Sequence, residues 1–262
     1  MEVVATAPRN IFQHARANVL GVGVSAINME TAVDLADRLI ASGGRGYVCV
    51  TGVHGVMEAQ ADEQLRDIFN AAFMSTPDGM PMTWVGRLQG FRNMDRVYGP
   101  DFMMEMCQRS LAHGYRHFLY GGKEGIAPLL AEKLLEKFPN LQIAGTYTPP
   151  FRPLNAREEE DLFALVRKAK PHIIWVGLST PKQEKFMGRY SNQFAVPLMV
   201  GVGAAFDLHT GQMRDAPRWM KRSGLQWLHR LCQEPRRLAK RYLVNNPKFV
   251  FQIALQLLRA KT

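Results

Sequence analysis

Apolar positions along the chain switch between two spacings. In "NMETAVDLADRLIAS", residues 28–42, Met29, Val33, Ala36 and Ile40 recur at three- and four-residue intervals, which predicts a helix that packs one face on a core. Asn28 suits its N-cap and Gly43-Gly44 its stop. "GYVCVT" (46–51) is then short, β-branched and apolar throughout, as expected of a strand covered on both faces. The alternation goes on to predict a helix over 56–72, a strand leading to Asp78, a helix over 100–113 and the strand "RHFLY" (116–120). A helix over 125–137, the strand "LQIAGT" (141–146), a helix over 155–169, and the strands "HIIWVG" (172–177) and "VPLMVGVG" (196–203) follow. Strands separated by helices of this length predict βαβ units, an α/β fold with a mostly parallel sheet and helices on both faces.

Past residue 212 the spacing becomes helical, with predicted helices in "GLQWLHRLCQEPRRLAKRYL" (224–243) and "NPKFVFQIALQLLRA" (246–260). Leu225, Leu228 and Leu231 or Cys232 share one face of the first, while Arg230, Arg237 and Arg241 lie on another. The chain therefore divides into an α/β domain, 1–212, and a basic helical C-terminal appendage, 213–262.

Charge sharpens that division. Of 33 Lys and Arg, twelve lie from Met213 onward, against two of the 23 Asp and Glu. The rest of the chain holds 21 of each sign, so the appendage carries the whole net charge of +10. A neutral body with a basic tail fits an anionic partner: nucleic acid, an anionic membrane surface or a phosphorylated ligand.

Composition narrows the class in other ways. With 262 residues and 47% hydrophobic content the chain can bury a sizeable core. No run approaches the roughly 18 apolar residues of a spanning helix, and "MEVVATAPRN" lacks a basic segment followed by an apolar one, which predicts a cytoplasmic protein. Cys49, Cys107 and Cys232 are odd in number and far apart, which fits reduced thiols better than a disulfide framework or a zinc cluster. No two aspartates are separated by a single residue, so a metal-bridged sugar-nucleotide site of the Asp-x-Asp kind has no support. His113 and His117 straddle a helix end and a strand start, a poor arrangement for a shared metal.

In parallel sheets ligands collect beyond the carboxyl ends of the strands. Five such ends carry glycine or polar residues: Thr51 to His54, Pro77 to Pro81, Gly121 to Gly125, Gly177 to Gln183 and Gly201 to Asp207. "YGGKEG" (120–125), with Gly122, reads equally as an anion-binding turn at a helix start and as an ordinary tight turn. It lacks the ending of a P-loop, and "GVGVSA" (21–26) lacks the third glycine of a dinucleotide fingerprint. His54 and His209 can act as acid or base near neutral pH or serve as polar loop residues. Asp207 reads first as a cap or turn anchor. Asp78, held between Pro77 and Gly79, reads as a turn residue or as an ionised general base beside a substrate hydroxyl.

The motifs "PDGMP", "RVYGPDFM", "GGKEG", "GLSTPKQEKF", "GVGAAFDLHTG", "RDAPRWM" and "GLQWLHRLCQEPRRLAKRYL", in this order, resemble the WecG/TagA/CpsF family of bacterial glycosyltransferases over about residues 20–243. The resemblance implies a Rossmann-like fold unlike the two commonest glycosyltransferase architectures. It implies inverting, metal-independent transfer of a sugar from a UDP-sugar to a polyprenyl-diphosphate-linked saccharide, as in synthesis of wall teichoic acid, enterobacterial common antigen or capsule, with no cofactor. For Asp78 it implies the catalytic base, and for Arg230, Arg237 and Arg241 stabilisation of the leaving diphosphate. Thr51, Arg96 and Gln183 match positions near substrate, and His54, Gly79, Gly122 and Asp207 complete the candidate binding set. The same tail, with Trp219, Trp227 and Phe249, would dock on an anionic membrane, placing the protein at the inner face of the plasma membrane. A homo-oligomer is compatible with this reading; a nucleic-acid partner is not part of it.

Two positions depart from the family pattern. Thr51-Gly52-Val53 stands where Thr-x-Asn is frequent, and Gln226 where Glu is frequent. The first opens the donor site to a hexose other than an N-acetylmannosamine type, as in an exopolysaccharide pathway. Two rival classes are a nucleotide-dependent oxidoreductase or epimerase, which lacks its fingerprint here, and a basic nucleic-acid-binding module, which leaves the neutral body without a purpose.

Overall fold

A computed structural model describes residues 13–259. The N-terminal stretch read for a leader lies outside the described residues, as does the end of the appendage with Lys261. The first element is a hairpin absent from the pattern reading, β1 (Arg16–Val19) and β2 (Val22–Ser25), antiparallel with Val19 opposite Val22. Leu20 and Gly21 at its tip have φ of 53° and 83°, the two positive values that a tight two-residue hairpin loop demands. Four-residue strands offer too few alternations to register as a period.

Helix α1 (Met29–Ala41) begins at Asn28, whose side chain accepts from the Thr31 amide at 2.9 Å, and leads to β3 (Gly46–Thr51). The single helix expected over 56–72 is two, α2 (Val53–Glu58) and α3 (Glu63–Ala71). Asp62 restarts the chain by accepting from the Leu65 amide at 3.0 Å, an N-cap inside what reads as one apolar period. Next come β4 (Met74–Pro77), the unpredicted α4 (Met80–Leu88), α5 (Gly99–His113), β5 (Arg116–Gly121), α6 (Ile126–Lys137) and β6 (Gln142–Tyr147). A capping box between Asn155 and Glu158 opens α7 (Ala156–Ala169), followed by β7 (Ile173–Gly177), α8 (Lys182–Phe194), β8 (Leu198–Gly201) and α9 (Ala205–His209).

The six strands β3 to β8 form one parallel sheet in the order β4-β3-β8-β7-β5-β6. Alternate residues of β7 enter opposite cores: Ile173 and Trp175 join the cluster under α1, α5 and α6, and Ile174 and Val176 the one under α3, α7 and α8. Burial on both faces explains why these strands read as unbroken apolar runs. Trp175 is fully buried and its Nε1 donates to His117 Nδ1 at 2.8 Å. His117 is therefore a core partner, kept neutral by burial that pushes its pKa down to about 3.

The appendage folds as α10 (Arg218–Arg222), α11 (Gln226–Gln233) and α12 (Pro235–Arg259). The helix expected over 224–243 breaks at Glu234, because Pro235 occupies a first helical position, where its missing N–H costs nothing. The boundary expected near Asn246 is absent, and α12 runs through with Pro247 inside it. Packing holds α12 together across that proline: Phe249 and Ile253 are buried in the body's cluster. Gln256 accepts from the Leu20 amide at 2.8 Å and donates to the Asn18 carbonyl at 2.7 Å, tying α12 to the hairpin. Among the described residues no helix is long and apolar enough to cross a membrane.

Candidate active site

The carboxyl ends of β3, β4, β7 and β8 lie side by side in the sheet, and the appendage covers them. Asp78 stands at the head of β4. Its amide donates to the Thr51 carbonyl at 2.9 Å, and the Pro77 carbonyl before it accepts from the Val97 amide at 2.9 Å. Gly79 follows at φ 95°, a conformation closed to most side chains, and turns the chain into α4. A Cβ at Gly52 would lie 3.2 Å from the Asp78 carbonyl oxygen, so the β3 and β4 ends approach closely enough that a side chain there would push on the backbone of Asp78. The carboxylate is thereby fixed at the meeting point of two cavities.

The first cavity, about 210 Å³, is polar and gathers Asp78 with His54, Gln183, Asp207, Arg230, Arg237 and Arg241. Glu234 lies 3.9 Å from Arg230 and pairs with Arg237, so the cluster retains positive charge suited to a phosphate-bearing ligand. Burial lowers the Arg241 pKa to about 10, which leaves it charged at neutral pH. The second cavity, about 640 Å³, shares Asp78, His54, Arg230 and Arg241 and continues along Gly79, Trp84, Trp227, Phe249 and Ile253. A third, about 480 Å³, holds Gly122, Lys123, Lys182 and Asp207 at the ends of β5 and β7.

Burial raises the Asp78 pKa above the ordinary carboxylate value; Arg96 and Arg230 pull it back down, and Asp101 adds to the rise. Arg96 reaches Asp78 from beside the cavities. Its guanidinium stacks 4.1 Å from the Tyr98 ring centroid, and its Nη2 donates to Gln226 Oε1 at 2.7 Å. Lys221 Nζ lies 5.1 Å from the same ring and pairs with Asp215, which accepts from the Tyr98 hydroxyl at 3.3 Å. Tyr98 is thus met directly by two residues of the appendage, Asp215 and Lys221, and through Arg96 by a third, Gln226. Pattern reading missed Tyr98, Asp215, Lys221 and Trp84, although Tyr98 sits inside the quoted "RVYGPD".

The expected substrate positions divide in the structure. His54, Gly79, Gln183, Asp207 and the three arginines converge on the two cavities around Asp78. Gly122 lies apart from Asp78 in the third cavity, at φ 76°. Thr51 faces none of the three: it is fully buried and its hydroxyl donates to the Cys49 carbonyl at 3.0 Å, leaving its own carbonyl to hold Asp78. His54 is pushed down to about 4 by burial and by the Arg241 charge, and is neutral at pH 7 with Nδ1 3.5 Å from Glu58. Gln183 Nε2 donates to Glu184 Oε1 at 2.9 Å, while its buried Oε1 has no protein partner among the described residues. His209 Nε2 donates to the Pro100 carbonyl at 3.1 Å and does not line the cavities around Asp78.

This arrangement supplies a carboxylate able to take a proton, next to fixed cations able to hold a diphosphate. A family model for the glycosyl transferase WecG/TagA/CpsF family matches residues 17–262. An N-acetylglucosaminyldiphosphoundecaprenol N-acetyl-beta-D-mannosaminyltransferase of Bacillus subtilis (strain 168) is 29% identical over 204 residues, 77% of this chain and 76% of its own. The protein of the same name from Bacillus spizizenii (strain ATCC 23059 / NRRL B-14472 / W23) is 26% identical over 193 residues, 74% of this chain and 72% of its own. From the hairpin to the end of the arginine-bearing appendage, the chain belongs to the WecG/TagA/CpsF family of glycosyl transferases.

Proposed function

We propose that this glycosyltransferase moves a hexose, with inversion, from a UDP-sugar to a saccharide carried on a polyprenyl diphosphate. The observation that supports it most is the position of Asp78 between an arginine-lined polar cavity and a long apolar one. Asp78 takes the proton of the acceptor hydroxyl, and the freed oxygen attacks the anomeric carbon. The bond from that carbon to the diphosphate breaks, and UDP leaves with the electron pair. Arg230, Arg237 and Arg241 stabilise the charge on the leaving group without a metal or cofactor.

The two relatives are named for an N-acetylglucosaminyldiphosphoundecaprenol acceptor and an N-acetylmannosaminyl group. A polyprenyl-diphosphate acceptor is carried over to this chain. The transferred hexose is of N-acetylmannosamine, uronic or glucose type, since Thr51-Gly52-Val53 replaces the family's frequent Thr-x-Asn. The basic appendage 213–262 completes the site and docks on the anionic inner face of a plasma membrane, where cell-surface or exopolysaccharide precursors are built.

The test is UDP release across a panel of UDP-hexoses and lipid-diphosphate saccharides with a chelator present, comparing wild type with Asp78→Asn. Acceptor-dependent release that the variant loses supports the reading. Release that the variant keeps, or that requires a divalent ion, overturns the assigned roles.

A further inference from the structure

The second cavity runs beside α12 from Tyr242 to Leu257, about 22 Å at 1.5 Å per residue. Its lining changes character along that length. At one end stand Asp78, Arg230, Arg241 and Lys221; beyond them the walls are α4, with Trp84 and Leu88, and α12, with Phe249, Val250 and Ile253. Leu88 is 71% exposed and Val250 66% exposed at the open side, so apolar surface is left to water beside a charged head. Single exposed apolar residues are ordinary, but a continuous apolar trough ending on cations calls for an amphipathic occupant. At about 640 Å³ it falls within the roughly 300–1,000 Å³ of pockets that enclose a small molecule.

We infer that this trough is an isoprenoid subsite: it takes the isoprene units next to the diphosphate of the lipid-linked acceptor and draws them out of the bilayer. The inference rests on the proposed acceptor class and adds that the protein reads the lipid itself. Arg230 and Arg241, which border both cavities, face the lipid's diphosphate from this side and the leaving diphosphate from the other, and α4 and α12 provide the apolar walls for the chain that follows. The trough is continuous with Asp78, so seating the lipid fixes how far the acceptor sugar stands from the base. A second copy of the chain, which would need no cation cluster at one end, is the alternative occupant.

The test uses full-length protein and two probes, farnesyl diphosphate and inorganic diphosphate, with binding read from the fluorescence of Trp84 and Trp227 and no donor present. Farnesyl diphosphate is expected to bind roughly tenfold or more tighter, because the apolar walls add burial that inorganic diphosphate does not have. Ala254→Phe, which fills the trough from an exposed position of α12, and Leu88→Asp at its mouth are each expected to erase that advantage while inorganic diphosphate binds as before. Equal binding of the two probes, or a preference untouched by both variants, overturns the inference. So does a dimer in sedimentation that Ala254→Phe dissociates while farnesyl binding is unchanged. A groove-dependent farnesyl preference in a protein that releases UDP from no donor would sustain the subsite and sink the transfer reading. UDP release with no farnesyl preference would do the reverse.

Discussion

Arg96 and Gln226, 130 residues apart, are joined by a 2.7 Å hydrogen bond from Nη2 to Oε1. The bond ties the loop before α5 to the first turn of α11, and among the described residues it leaves the guanidinium charge without a salt bridge beside Asp78. A glutamate at 226, frequent in the family, would neutralise that charge. Gln226→Glu is expected to raise the Asp78 pKa further, since Arg96 is one of the two cations holding it down. In its proposed role as base Asp78 must be ionised, so activity should be lost as pH falls through its pKa. The acid limb of the kcat/KM profile should therefore move to higher pH in the variant; an unmoved limb refutes the coupling.

Asp78→Asn keeps shape and volume but cannot accept the proton. Transfer should fall by about 10²-fold or more, with the thermal midpoint unchanged or raised, because a buried carboxylate with a raised pKa carries a desolvation cost that the amide avoids. Turnover within a few fold of wild type would remove Asp78 from the chemistry.

Arg241→Gln removes a half-buried cation from the wall shared by the two cavities around Asp78. A loss of roughly 10²-fold in kcat is expected if its charge acts on the leaving diphosphate. A change confined to KM would assign it to ground-state binding alone. Removing 213–262 should abolish transfer and also expose the surface that Phe249 and Ile253 cover, read as increased binding of an apolar dye.

His54 supplies a stability signature. Its folded pKa is depressed from 6.5 to about 4, so below 6.5 the unfolded chain binds the proton first. Its share of stability is present above pH 6.5 and is lost progressively as pH falls toward about 4. The urea midpoint of wild type should drop between pH 7 and pH 5 by more than that of His54→Asn.

Trp175→Phe leaves His117 Nδ1 without its buried donor. With Nε2 of the same ring already unpartnered among the described residues, the change should cost about 1–3 kcal/mol, measured by denaturant unfolding. Activity per folded molecule should be retained, because the pair lies in the core and away from Asp78.

The sequence by itself determined the α/β architecture, since runs such as "GYVCVT" and "HIIWVG" are apolar on both faces and their neighbours repeat at helical spacing. It also determined the candidate base and the arginine tail, because Asp78 between proline and glycine and twelve cations past Met213 are local facts of order and charge. The hairpin β1–β2 stayed hidden because four-residue strands are too short for a period to emerge, and the helices α4, α8 and α9 were not read from the pattern either. Two helix boundaries turned on tertiary contacts as well as propensity, with Asp62 splitting one helix and packing of Phe249 and Ile253 carrying another through Pro247. Only the tertiary structure decided that Thr51 turns inward and that Tyr98 anchors the appendage through Arg96, Lys221 and Asp215. It also decided that the arginine face of α11 and α12 closes over Asp78. The contacts of the appendage with the body join residues more than a hundred positions apart, and spacing along a chain carries no information about which distant side chains the packing of a sheet and its covering helices will bring together.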